Sequence, residues 1–176
     1  RMILGVAGPY ASGKGEAVAF LQARSFYPYS LSDVIREELA ARGEDETGER
    51  VAAAGNALLE AEGPGALARR LLPKLEADKN YVVDSIRHPA EVEVLRGVSR
   101  FKLLWVDADE AVRFERLTKR VRLGDRQSLA ELRVLEGREQ GGADPAGERL
   151  RDVREMADHV VRNDGSLAEL HQELGS

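Results

Sequence analysis

Residues 8–16 read Gly8-Pro9-Tyr10-Ala11-Ser12-Gly13-Lys14-Gly15-Glu16. Two glycines with four residues between them, followed by lysine, form the G-x-x-x-x-G-K core of a Walker A loop. Gly8 and Gly13 permit backbone angles and a close approach that a side chain would block. Successive N–H groups can then turn inward and cradle phosphate oxygens at a helix N-terminus. Lys14 supplies a mobile point charge for phosphates in transfer. The motif departs from its usual form in one place. The Ser or Thr that holds Mg²⁺ through its hydroxyl is here Gly15, followed by Glu16. Glu16 could hold a metal-bound water, or could merely favour the first helical turn.

Arginines supply the second set of chemistry-bearing residues. The 26 basic residues are 21 Arg and 5 Lys, and the planar guanidinium fork suits bidentate recognition of phosphate or carboxylate. Asp33 and Arg36 lie one helical turn apart and project from one end of a predicted helix, either toward a ligand or as a surface ion pair. Asp84 closes a short apolar run and is followed by Ser85-Ile86-Arg87-His88. An acidic residue at that place beside a phosphate loop can orient Mg²⁺ through water, or can act as a helix cap. His88 reads as a cap or surface residue. Arg113, Arg116 and Arg120 share one helical face, and Arg122 and Arg126 flank Gly124. A basic helix that runs into a glycine suits a phosphate-clamping lid, which Arg138 could complete. The plain alternative is a solvated face mixed with Glu110 and Glu115. Asn163-Asp164-Gly165 reads as a turn.

The elements that must position these groups follow from periodicity. Short apolar runs predict buried strands at 3–7, 27–31, 81–84, 101–106 and 158–162. Helical spacing predicts helices at 14–24, 32–42, 47–62, 66–77, 88–96, 109–122, 128–139 and 166–174. Ser32 or Asp33 is expected to cap the second helix and Gly43 to end it. The stretch 140–147, with three Gly and one Pro, predicts a loop. Strands alternating with helices predict a parallel sheet covered on both faces. Ligands bind such sheets at the carboxyl ends of the strands, and the charged motifs follow the strands.

Composition narrows the function classes. The chain has 176 residues, the length of one domain. Cysteine is absent, which excludes disulfides, thiolate metal sites and cysteine nucleophiles. The net charge of −5 argues against a general nucleic-acid binder. No apolar run approaches the ~18 residues of a membrane span. With no signal-peptide layout ahead of the opening strand, a cytoplasmic protein is the expectation.

Read together, the motifs GPYASGKGE, DVIREE, DSIRHPAEVE and NDGSLAEL, in this order, resemble the P-loop nucleotide kinases. The branch is the one containing nucleoside monophosphate kinases, dephospho-coenzyme-A kinases and small nucleotide-kinase-related proteins. The resemblance runs over nearly the whole chain. Ser85 stands where those relatives more often have Gly.

The resemblance implies a three-layer α/β/α P-loop fold with a central five-stranded parallel sheet. It implies a core at 1–43, 79–121 and 140–176, an acceptor-binding helical insert at 44–78 and an Arg-rich lid at 122–139. It implies ATP and Mg²⁺ as cofactors. Gly8, Ala11, Ser12, Gly13, Lys14, Gly15 and Glu16 would hold ATP phosphates, Arg116 would bind ATP as a lid arginine, and the turn with Asn163 and Gly165 would pack against the adenine. Asp33, Arg36, Arg87 and Arg126 would bind the acceptor; Lys14, Arg87, Arg116 and Arg120 would act in transfer. Asp84, with Glu16, would hold the metal through water.

The activity implied is transfer of the ATP γ-phosphoryl to a nucleoside or deoxynucleoside monophosphate, by a monomer or homodimer with no nucleic-acid or membrane partner. An acceptor phosphate already carries negative oxygens and needs no general base. Dephospho-coenzyme-A kinase, whose hydroxyl acceptor benefits from a carboxylate base, would need an Asp where this chain has Ser30, unless Asp33 substitutes. A nucleotide-sensing protein with little turnover is the third reading.

Overall fold

The structure is a computed structural model and describes residues 2–45, 48–97, 100–124 and 145–163. The apolar runs form five strands: β1 (Ile3–Ala7), β2 (Phe26–Ser30), β3 (Asn80–Asp84), β4 (Phe101–Asp107) and β5 (His159–Arg162). They make one sheet in the order β2-β3-β1-β4-β5, and every pairing is parallel. Seven α-helices are described: α1 (Lys14–Gln22), α2 (Leu31–Ala41), α3 (Gly48–Glu62), α4 (Ala66–Leu71), α5 (Pro89–Arg96), α6 (Glu110–Arg122) and α7 (Pro145–Glu155).

Strand alternation divides the core into two layers, because successive side chains leave a strand on opposite faces. Ile3, Ala7, Tyr81, Val83, Phe101, Leu103 and Trp105 point to one face, where Leu31 and Val34 of α2, Leu71 of α4, Val92 and Leu95 of α5 and Val153 of α7 meet them. Val6, Val82 and Val106 point to the other face and pack on Ala17, Phe20 and Leu21 of α1. Helices therefore cover both faces, as the alternating pattern predicts. Gly5 has no room for a side chain: a Cβ there would lie 2.7 Å from Cζ of Phe101 and 2.8 Å from Cδ1 of Ile86. A third cluster joins α6 to the phosphate loop through Ala11 and Leu117. The sheet order reverses direction at β1, whose two neighbours β3 and β4 are reached on opposite sides. Ligand crevices in such sheets form outside that switch point, where residues 8–13 leave β1.

Several local expectations are corrected. Helix α2 is capped by Ser30, not by Ser32 or Asp33. The Ser30 hydroxyl accepts from the Ser32 amide, and Asp33 Oδ2 accepts from the Ser30 amide at 3.1 Å, completing a capping box. The helix ends as expected at Gly43, with φ +71°, where the Glu44 amide reaches back to the Leu39 carbonyl at 2.9 Å. Helix α4 stops at Leu71 and tightens into a 3₁₀ turn over Leu72–Lys74, because Pro73 cannot donate within an α-helix. The loop predicted through 147 gives way to α7 from Pro145 onward. Proline is tolerated in the first turn, where its missing donor would be unpaired anyway. The helices predicted at 128–139 and 166–174, most of the predicted lid, Arg126, Arg138 and Gly165 lie outside the described residues.

Arg70 of α4 ion-pairs with both Glu38 of α2 and Glu62 of α3, tying the three helices together. Among the described residues, no helix is long and apolar enough to cross a membrane.

Candidate phosphate and acceptor site

The loop after β1 turns through left-handed backbone angles that are free for Gly13 and strained for Ala11. Gly13 has φ +106° and Ala11 φ +59°. Gly8 is required for space: a Cβ there would stand 2.2 Å from the Val106 carbonyl oxygen. Gly13 occupies the cap position of α1 and offers no side-chain acceptor. The start of α1 therefore carries no side-chain cap, and the helix dipole favours an anion there. Lys14 Nζ donates to the carbonyls of Gly8 at 2.8 Å and Pro9 at 2.9 Å, which holds the ammonium over the loop. Gly15 has open space around the position of a Cβ. Glu16 is exposed.

Two residues brace the loop from behind. Arg116 donates to the Ala11 carbonyl at 2.9 Å and to the Asn163 carbonyl at 2.6 Å. Asn163, 7% exposed, donates its side-chain amide to the Ser12 carbonyl at 2.8 Å and its backbone amide to Asp107 at 2.7 Å. Both were expected near a nucleotide, and the structure puts both in contact with the loop backbone. Arg113 is buried and donates Nε to the Ala108 carbonyl at 3.0 Å. Arg120 is exposed on the last turn of α6.

The ends of β2 and β3 meet beside the loop. Ser30 and Asp84 are register partners. The Ser30 hydroxyl lies 2.6 Å from that of Ser85 and 2.8 Å from that of Ser32. Burial pushes the Asp84 carboxyl above its ordinary range, opposed by the hydrogen bond to Ser30 and the positive charge of Lys14. Ser85 has φ +62°, a left-handed angle that accounts for glycine at this place in the resembling proteins.

A cavity of about 420 Å³ opens between these pieces and the insert. Gly8, Pro9, Tyr10 and Lys14 form one end, Ser32, Ser85, Arg87, His88 and Glu91 one wall, and apolar side chains of α3 and α4, including Leu58, Leu59 and Leu67, the facing wall. Arg149 and Leu150 of α7 complete it. Arg87 is exposed within this lining, and no carboxylate among the described residues ion-pairs with it. Asp33 and Arg36 are outside the lining. Arg36 instead bonds Ser32 Oγ at 3.0 Å and Asp33 Oδ1 at 3.2 Å on its own helix.

Sequence reasoning missed two residues of the wall. Arg149 sits on the helix that was not predicted. Glu91 stands within the quoted AEVE string, where three-residue spacing from His88 signals a capping box. His88 does cap α5, its Nδ1 accepting from the Ala90 amide at 3.1 Å. Burial, with the nearby Arg149 charge, lowers its pKa. Burial pushes the Glu91 carboxyl up to about 7, against two backbone hydrogen bonds and the Arg87 charge.

The residues present suit a polyphosphate: a glycine-containing loop, a helix start without a side-chain cap, and Lys14 held over the loop. For a divalent cation, Asp84 supplies a carboxylate near Lys14, while Gly15 supplies no hydroxyl. Among the described residues, no group of three or more acidic or histidine side chains forms a metal site by itself.

Solved structures share this architecture. A shikimate kinase from Bacteroides thetaiotaomicron superposes with a TM-score of 0.57 at 13% identity, covering 99% of this chain and 94% of that one. A shikimate kinase from Aquifex aeolicus gives 0.52 at 17% identity, covering 98% and 93%. The fold is thus the three-layer α/β fold of the P-loop kinases. In sequence, the chain is 34% identical over 176 residues to the UPF0200 protein of Aeropyrum pernix, covering 98% of this chain and 90% of that one. It belongs to the UPF0200 family. It is also 33% identical over 178 residues to an Archaeoglobus fulgidus UPF0200/UPF0201 protein, and spans about half, 53%, of that protein's length. No family model matches the chain.

Proposed function

We propose that the chain is an ATP-dependent phosphotransferase whose acceptor is a nucleoside or deoxynucleoside monophosphate. The observation that carries this reading is the single cavity that has Lys14 and the phosphate loop at one end and Arg87 and Arg149 on its walls. In a chain of net charge −5, three cations around one cavity favour an anionic acceptor. Its apolar facing wall suits the body of a nucleoside.

In this reading the loop amides and Lys14 hold the ATP phosphates. Arg87 holds the acceptor phosphate in line, with Arg149 beside it. An acceptor oxygen forms a bond to the γ-phosphorus as the bond to ADP breaks. The chemistry is positioning and charge neutralisation, with no general base required. Mg²⁺, when bound, would neutralise charge between the phosphates, and Asp84 would orient its waters. The insert at 44–78, the lid at 122–139, Arg120 and Arg126 belong to the same proposal, as does a cytoplasmic place of action. A hydroxyl acceptor is disfavoured because Asp33, the substitute base, is engaged by the Ser30 amide and Arg36.

The test is a coupled ADP-release assay with ATP, Mg²⁺, each ribo- and deoxynucleoside monophosphate, and dephospho-coenzyme A. Turnover with a monophosphate is expected. Turnover with dephospho-coenzyme A alone, or none above ATP hydrolysis, would overturn the reading.

A further inference from the structure

Glu91 is the one carboxylate in the cavity lining among the described residues, and only 5% of it is exposed. It stands at the third position of α5, where an acidic residue completes a capping box by accepting the amide of the cap residue. Its Oε1 does accept from His88, at 3.0 Å. It also accepts from the Arg87 amide, at 2.9 Å, which a capping box does not require. Nor does a capping box require burial, and burying a carboxylate is costly unless its hydrogen bonds are made.

The second bond falls on Arg87, an exposed cation of this cavity wall. The turn from Ser85 to His88 is anchored at its start by the left-handed Ser85, whose hydroxyl meets Ser30, and by Ile86, 2% exposed in the core. Glu91 anchors its other end. Between the two anchors Arg87 is left exposed, with its backbone fixed on both sides.

We infer that Glu91 is a positioning residue for the acceptor: by gripping the Arg87 and His88 amides it aims the Arg87 guanidinium at the acceptor's phosphate. The inference rests on the cavity being the acceptor site. An uncharged oxygen at the same place would serve. A carboxylate drawn back by one methylene would not reach both amides.

The experiment is steady-state kinetics of the full chain with ATP and whichever monophosphate it turns over. The variants are Glu91→Ala, Glu91→Asp, Glu91→Gln, Arg87→Ala and the Arg87→Ala/Glu91→Ala double, each checked by thermal unfolding. Glu91→Ala and Glu91→Asp should raise the acceptor KM roughly tenfold, the scale of one charge-assisted contact, with the ATP KM unchanged. Glu91→Gln should restore it. Glu91→Ala should add nothing in the Arg87→Ala background. If Glu91→Ala does not fold, Glu91→Asp alone decides. An unchanged acceptor KM in Glu91→Asp, an equal rise in the ATP KM, or an undiminished effect without Arg87 would make Glu91 structural and overturn the inference, while the phosphotransferase reading stands. A wild-type chain that turns over no monophosphate would instead overturn that reading, and the inference with it.

Discussion

The Asn163 side-chain amide donates to the Ser12 carbonyl across 2.8 Å, joining residues 151 positions apart and holding the phosphate loop from behind. The contact is buried, so its loss leaves an acceptor without a partner. Asn163→Ala should cost about 1–3 kcal/mol, read as a fall in Tm of about 2–4 °C per kcal/mol. The ATP KM should rise with it, because the loop loses a brace. An ATP KM equal to wild type would detach Asn163 from the nucleotide site.

Lys14 bonds the loop's own carbonyls at Gly8 and Pro9, so it is placed over the site before any phosphate arrives. Lys14→Ala should abolish transfer and leave the fold intact, since the glycines and not the lysine set the loop's shape. Near-normal kcat in that variant would remove the phosphate-loop assignment.

Two glycines of the loop should respond in opposite ways. Gly8→Ala drives a methyl group to 2.2 Å from a backbone carbonyl, where nothing flexible can yield, and should fold poorly or not at all. Gly15→Ser enters open space on a helix, where replacing glycine gains roughly 0.5 kcal/mol. It also supplies the hydroxyl that other Walker A loops place on Mg²⁺. Comparing Tm and the Mg²⁺ concentration for half-maximal rate in wild type and Gly15→Ser checks this. A destabilised Gly15→Ser variant would mean that Gly15 is needed for close approach.

The contrast between these glycines shows where the sequence is readable. The G-x-x-x-x-G-K spacing, the strand runs and the order of motifs depend on local chemistry, and the sheet, phosphate loop and crossovers follow from them. What was not legible depends on distant neighbours. Glu91 reads as an ordinary capping residue until the cavity wall closes over it. Pro145 and Gly147 resemble loop residues, which hid α7 and with it Arg149. Leu31, the first residue of α2, reads as the end of a strand at 27–31 where the structure has β2 at 26–30, which places the cap at Ser32 or Asp33 and not at Ser30. Arg36 has the spacing of a ligand-facing residue, yet Ser32 and Asp33 supply nearer partners on its own helix.

The three arginines spaced along α6 should separate cleanly. Arg113 is buried against the Ala108 carbonyl, so Arg113→Ala should lower Tm with little specific effect on either substrate. Arg116 bonds two carbonyls that border the loop, and Arg116→Ala should raise the ATP KM. Arg120 is exposed, so Arg120→Ala should leave Tm unchanged. If it neutralises charge that develops in transfer, its loss lowers kcat by orders of magnitude with a modest change in KM. An Arg120→Ala variant with unchanged kcat would return that residue to a solvated basic face.

Glu91 also makes stability depend on pH with a definite sign. Burial raises its carboxyl from the ordinary 4.5 to about 7 in the folded chain. Between those values the folded state holds a proton that the unfolded state has released, so stability falls as pH rises through the window. Below it both states are protonated and the cost vanishes. Above it the full cost is present, on the order of 3 kcal/mol. Glutamine at this place does not titrate, while His88 is retained in both proteins and largely cancels in the difference. The Tm of Glu91→Gln relative to wild type should therefore climb between about pH 5 and about pH 8, by some 2–4 °C for each kcal/mol. A difference that stays flat across that range would mean that the Glu91 carboxyl is ionised throughout, with Arg87 and the two amides outweighing its burial.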